Sequence, residues 1–95
     1  MNHNNIIDFL KTHKQEFYDR FNITKLALFG SYAKGIEHDE SDIDIVIEMN
    51  NNNYFKLIEF ENFISDKLNK KVDVGFFDSM KSFIKKSIEK DLVYV

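Results

Sequence analysis

The sequence predicts a small α/β domain, with helices and strands alternating around a single sheet. Three observations lead to that class. Apolar residues recur at helical spacing in two long segments, residues 5–21 and 54–68. Short β-branched runs stand apart from them: ITKLALF at 23–29, DIDIVIEM at 42–49 and KVDVGFF at 71–77. The two kinds of segment alternate in the order αβαβαβα, which suits a layered α/β or α+β fold.

Each element has its own signal. Ile6, Ile7, Leu10, Phe17 and Phe21 share a helical stripe, and Asn4 or Asn5 is available as N-cap, so one helix is expected over 5–21. The strand at 23–29 ends at Gly30, and a short helix is expected from Ser31 to about Gly35. A charged loop over 37–41 leads into the strand at 42–49, whose Ile45-Val46-Ile47 run implies burial on both faces. Four asparagines at 50–53 read as a turn, and Tyr54, Leu57, Ile58, Phe60, Ile64 and Leu68 as the next amphipathic helix. After the strand at 71–77, a helix is expected over 79–90, with Phe83, Ile84 and Ile88 inward, and a short edge strand over 92–95.

Composition narrows the function classes. Ninety-five residues, 43% hydrophobic and 31% charged, make one domain over 1–95 with a single core. Phe55, Phe60, Phe63, Phe76, Phe77 and Phe83 are read as core aromatics, a few of the ten phenylalanines being left for a partner surface. A net charge of −3 argues against direct nucleic-acid binding and against an anionic membrane. The absence of cysteine excludes disulfides, a thiolate nucleophile and a cysteine zinc site. The polar start Met1 to Asn5 has no apolar run behind it, so a cytoplasmic location is the expectation. His3, His13 and His38 have no ligand spacing and are read as surface residues.

Two constellations carry chemistry. A strand that ends at Gly30-Ser31 and turns into a helix offers free backbone N–H groups to an anion, with the Ser31 hydroxyl as donor and Lys34 one turn on as a positive charge. The same pair also suits an ordinary strand-to-helix turn with Ser31 as N-cap. GSYAKG lacks the GK[ST] ending of a P-loop, and three scattered glycines cannot form GxGxxG. The second constellation is acidic. Asp42 and Asp44, two apart in a strand, project to one side, where unpaired carboxylates repel. Mg²⁺ relieves such a pair, since it takes one or two carboxylates together with phosphate oxygens. Asp73 stands between Val72 and Val74 in a third strand, where a third carboxylate could accept the proton of an attacking hydroxyl. The plain alternatives are solvated aspartates at a strand start and on an edge strand.

Gly30-Ser31, ten intervening residues and Asp42-x-Asp44 resemble the signature of the DNA polymerase beta-type nucleotidyltransferases. Four such fixed positions recur by chance in roughly one chain in a thousand of this length. Asp73, the length and the closing Asp91-Leu92-Val93-Tyr94-Val95 resemble the minimal nucleotidyltransferases of that superfamily. The resemblance implies a small mixed sheet flanked by helices. It implies two Mg²⁺ ions, with Asp42 and Asp44 binding both and Asp73 binding one and activating the acceptor hydroxyl. Gly30, Ser31 and Lys34 would hold the triphosphate of ATP. Many relatives carry an arginine just after Gly-Ser, where this chain has Tyr32 and Lys34, so phosphate would meet a point charge rather than a bidentate fork.

Minimal nucleotidyltransferases pair with HEPN-domain proteins as toxin–antitoxin systems. The resemblance therefore implies an antitoxin that transfers AMP to a tyrosine hydroxyl of a HEPN RNase, within a hetero-oligomer. Two other readings stand beside it. One is a non-catalytic binding antitoxin or nucleotide sensor, whose neutralising effect would survive loss of the aspartates. The other is small-molecule nucleotidylation, disfavoured because relatives with that activity generally carry an additional domain.

Overall fold

The computed structural model describes residues 3–30, 42–79 and 92–95. The expected helix at 31–35, the loop at 37–41 and nearly all of the helix expected over 79–90 lie outside the described residues. The described elements are α1 (His3–Thr12), α2 (Lys14–Phe21), β1 (Ile23–Phe29), β2 (Ile43–Met49), α3 (Tyr54–Leu68), β3 (Val72–Phe76), a 3₁₀ turn (Phe77–Ser79) and β4 (Val93–Tyr94).

The four strands form one sheet in the order β3-β2-β1-β4. β1 runs antiparallel to β2 and to β4, whereas β2 and β3 are parallel, so the sheet is mixed. The parallel pair follows from the chain order, because α3 supplies the crossover that parallel neighbours require. Helices cover one face. There Leu26, Leu28, Ile43, Ile45, Ile47, Val72 and Phe76 meet Ile6, Leu10, Leu57, Ile64 and Leu68. Phe60 of α3 packs in T-shaped pairs with Phe17 and Phe21 at centroid distances of 5.0 and 5.4 Å. The opposite face holds a smaller cluster of Ala27, Val46 and Phe77, with Phe29 and Leu92 against it. β2 is thus buried on both sides, as its β-branched run predicts.

Three details depart from simple periodicity. The first helix is broken at His13, which separates α1 from α2. The His13 ring lies between those of Phe9 and Phe17, and its Nδ1 donates to the Phe9 carbonyl at 2.9 Å. Thr12 Oγ1 donates to the Asp8 carbonyl at 2.8 Å. Side chains that draw on carbonyls of the preceding turn bend a helix, which accounts for the break. In β1 a register shift between Ile23 and Lys25 lets Ile23 and Leu26, three residues apart, both enter the core. Phe55, expected in the core, is 82% exposed. It stands two residues before Leu57, hence across α3 from the buried stripe of Leu57, Phe60, Ile64 and Leu68.

Asparagines take the turn positions of a chain with no proline and few glycines. Asn22 and Asn69 end α2 and α3 in the left-handed region, with φ of 60° and 52°. Asn53 opens α3 by accepting the Lys56 N–H at 3.2 Å. Among the described residues, no helix is long and apolar enough to cross a membrane.

Candidate active site

The strand pairing gathers the aspartates. Asp44 is the second residue of β2 and lies level with Asp73 on β3 and with Phe29 at the end of β1. Alternation along β2 puts Asp44 on the face opposite the large core, with Val46 two residues further on. Asp42 stands just before β2, and Lys71 just before β3. The Ile43 N–H donates to the Lys71 carbonyl at 3.0 Å, which ties those two strand starts together. Lys71 Nζ then lies 3.6 Å from Asp42 Oδ2.

The Asp44 carboxyl senses the other two. Asp44 is half-buried, and that burial raises its carboxyl above the ordinary carboxylate range, with the charges of Asp73 and then Asp42 adding to the effect. Asp73 is exposed and so open to an incoming group. Gly30 completes the arrangement from β1. It has a φ of +74°, and a Cβ built on it would stand 2.5 Å from Asp44 Oδ2. The space that a side chain at position 30 would fill is therefore taken by the Asp44 carboxylate. Gly75, two residues beyond Asp73 on the same side, has no atom of the described residues within 4 Å of such a Cβ.

The structure brings together Gly30, Asp42, Asp44 and Asp73 of the residues singled out in the sequence. Ser31 and Lys34 lie outside the described residues. Two contributors escaped the sequence reading. Lys71 is one, placed by the β2–β3 register. Glu61 is the other: from α3 its Oε2 accepts the Val74 N–H at 3.0 Å, holding β3 beside Asp73. No local motif announces either, because both depend on which segments become neighbours.

Among the described residues, no group of three His, Asp or Glu side chains is arranged to hold a metal ion by itself. The donor set nonetheless fits Mg²⁺. It offers carboxylates that repel one another, one of them half-buried and seated in the hollow at Gly30, and it leaves coordination positions for phosphate oxygens.

A mixed four-stranded sheet with a helical face and aspartates at the start of β2 is the framework of a nucleotidyltransferase. Residues 10–95 match the nucleotidyltransferase domain family, and the chain belongs to it. Its relatives lie among the protein adenylyltransferases of that family. A Methanocaldococcus jannaschii protein provisionally named a protein adenylyltransferase is 41% identical over 92 residues, covering 95% of this chain and 94% of its own. The protein adenylyltransferase MntA of Thermococcus cleftensis is 34% identical over 87 residues, covering 90% and 88%. Among solved structures, a provisionally assigned minimal nucleotidyltransferase has a TM-score of 0.83 at 14% identity, covering 98% of this chain and 95% of that one. A chain from a complex of tri-AMPylated Shewanella oneidensis HEPN toxin with MNT antitoxin has a TM-score of 0.61 at 20% identity, covering 98% and 67%. These structural likenesses establish the fold.

Proposed function

We propose that residues 1–95 form one catalytic domain, a Mg²⁺-dependent protein adenylyltransferase that moves AMP from ATP onto a tyrosine hydroxyl of a cognate HEPN RNase and thereby neutralises it. The observation that carries the reading is the convergence of Asp42, Asp44 and Asp73 beside Gly30, in a chain of the nucleotidyltransferase family. The names of the relatives supply the direction: two are protein adenylyltransferases, one of them provisionally so named, and one structural neighbour comes from a complex with an AMPylated HEPN toxin.

Phosphoryl transfer of this kind asks the protein mainly for positioning and charge neutralisation. Asp42 and Asp44 would hold the Mg²⁺ ions, with Asp73 sharing one. When bound, the ions would neutralise the triphosphate and the charge that develops at phosphorus. The chain's own residues do the rest. Gly30 keeps the Asp44 carboxylate in place, and Ser31 and Lys34 follow it as candidate triphosphate contacts. Asp73, exposed at the surface, is open to a hydroxyl from a second protein and accepts its proton. The tyrosine oxygen bonds to the α-phosphorus, the bond from that phosphorus to the bridging oxygen breaks, and diphosphate leaves. AMP on the tyrosine adds charge and bulk, which would obstruct RNA at a nearby RNase site.

Intact mass spectrometry of the HEPN partner, incubated with this chain, ATP and Mg²⁺, tests the reading. Wild-type protein is expected to add one or more adenylyl groups, and the Asp42→Asn, Asp44→Asn double variant none. A partner of unchanged mass that still forms a complex and is still neutralised would replace catalysis with occlusion.

A further inference from the structure

The pairing of Lys71 with Asp42 belongs to none of the roles above, and it places a cation where the reading expects metal. Asp42, Asp44 and Asp73 bring three carboxylates to one end of the sheet, and a nucleoside triphosphate brings several more negative charges. Lys71 is ion-paired with one of the three, Asp42. Its backbone is fixed, because its carbonyl accepts from Ile43 across the strand pair. Its side chain is not: it is 72% exposed, at 3.6 Å from an Asp42 carboxylate that is itself 41% exposed. A pair of that kind is held weakly, by no more than about 1 kcal/mol. The lysine is therefore anchored at the site through its main chain and free to change partners at its tip.

We propose that Lys71 is an exchangeable counter-ion of this site. Its ammonium neutralises Asp42 while the carboxylate has no metal, and it transfers to the triphosphate oxygens once a divalent cation occupies Asp42. The inference rests on the nucleotidyltransferase reading of the site and adds two opposed consequences for one residue. Lys71 competes with metal in the free protein, and it supports nucleotide in the metal-loaded protein. An ammonium does this better than a guanidinium fixed in a fork, since its strongly hydrated point charge re-pairs without a set geometry.

Two binding measurements test this on the whole chain without any acceptor. The first is Mn²⁺ binding without nucleotide, read from the free-ion paramagnetic resonance signal. The second is ATP binding at saturating Mg²⁺, read by calorimetry. Lys71→Gln is expected to tighten Mn²⁺ binding by up to about fivefold, because it removes the competing ion pair. The same variant is expected to weaken ATP binding by roughly tenfold, because it removes a charge-assisted phosphate contact. Lys71→Arg should restore most of the ATP affinity. Lys11→Gln, the same charge change made on α1, should move neither quantity. Unchanged Mn²⁺ and ATP affinities in Lys71→Gln, with wild-type protein binding both, would overturn the inference and leave the functional reading intact. Wild-type protein that binds neither would remove both together. Both affinities moving in the same direction would also refute exchange, since loss of an ammonium that opposes metal and supports triphosphate must tighten the one and weaken the other.

Discussion

Replacing Gly30 with alanine probes the contact on which the acidic site is built. Two costs can be worked from the structure. The backbone at position 30 has φ +74°, where a residue with a Cβ loses about 1–2 kcal/mol. The new methyl would also stand 2.5 Å from Asp44 Oδ2, about 1 Å inside an ordinary contact, so the carboxylate must withdraw. Overpacking of that kind costs about 1–3 kcal/mol. The sum, roughly 2–5 kcal/mol, corresponds to a melting temperature lower by at least about 8 °C in a domain of this size. Urea unfolding of Gly30→Ala, Asp44→Ala and the double variant separates the two costs. With Asp44 truncated only the backbone cost remains, so the double-mutant cycle should return a coupling of about 1–3 kcal/mol. Gly75→Ala is the control, because its added Cβ meets no atom of the described residues within 4 Å. It should leave stability unchanged or raise it by up to about 1 kcal/mol. The reasoning is refuted if Gly30→Ala costs the same with and without the Asp44 carboxylate, or no more than Gly75→Ala.

Three further outcomes follow from other parts of the structure. Burial and the charges of Asp73 and Asp42 raise the Asp44 carboxyl above its ordinary 3.8, so the folded state binds that proton more tightly than the unfolded state. Stability from this group is therefore complete below pH 3.8 and is lost as pH rises through the folded value. Asp44→Asn should accordingly be more stable than wild type at neutral pH and lose that advantage below pH 3.8, and a urea midpoint difference equal at both pH values would count against this account. Glu61→Ala leaves the Val74 N–H without its acceptor and should cost about 1–3 kcal/mol, with faster hydrogen exchange at Val74. Glu61→Gln, which keeps an acceptor oxygen, should lose less, and unaltered Val74 exchange in the alanine variant would show that the bond holds nothing. Phe60→Ala removes the ring on which Phe17 and Phe21 rest and should cost about 3–5 kcal/mol, measurable as a large fall in melting temperature. Phe55→Ala, at an exposed position, should change stability by no more than about 0.5 kcal/mol.

Where a local signal and a tertiary contact agree, the sequence is a good guide to this fold. Ile23–Phe29 forms a strand with the expected bounds, and the Leu57, Phe60, Ile64 and Leu68 stripe is buried as its spacing predicts. Val72 and Val74 turn toward the core as their alternation requires. Departures arise where the decisive partner is distant in the chain or where a polar side chain competes for the backbone. Helical spacing carries no warning that the His13 ring and the Thr12 hydroxyl will draw on carbonyls of the turn before. Nor does it carry the β1 register shift, which reconciles Ile23 and Leu26 with a single face. The Asp42-x-Asp44 pair and Asp73 were visible as a motif, but their alignment depends on the parallel register between β2 and β3. The same register creates the Lys71–Asp42 pair, whose members are far apart in sequence. Gly30 illustrates the difference most directly. Its place at the end of a strand suggested a close approach to phosphate, and only the structure reveals that a side chain there would also meet a carboxylate of the next strand.

A carboxylate seated in the hollow at Gly30 is held by shape, with a charge that burial and its neighbours disfavour. Holding it ionised at neutral pH therefore opposes folding slightly, and a bound cation would relieve the conflict. Mg²⁺ takes one or two carboxylates and fills the rest of its shell with water or phosphate oxygens, which suits a carboxylate held in this way. The apolar helical face makes this arrangement tolerable. It fixes β2 and β3 from behind through Ile43, Ile45 and Val72, so the aspartates on the other side can be placed for binding rather than for stability.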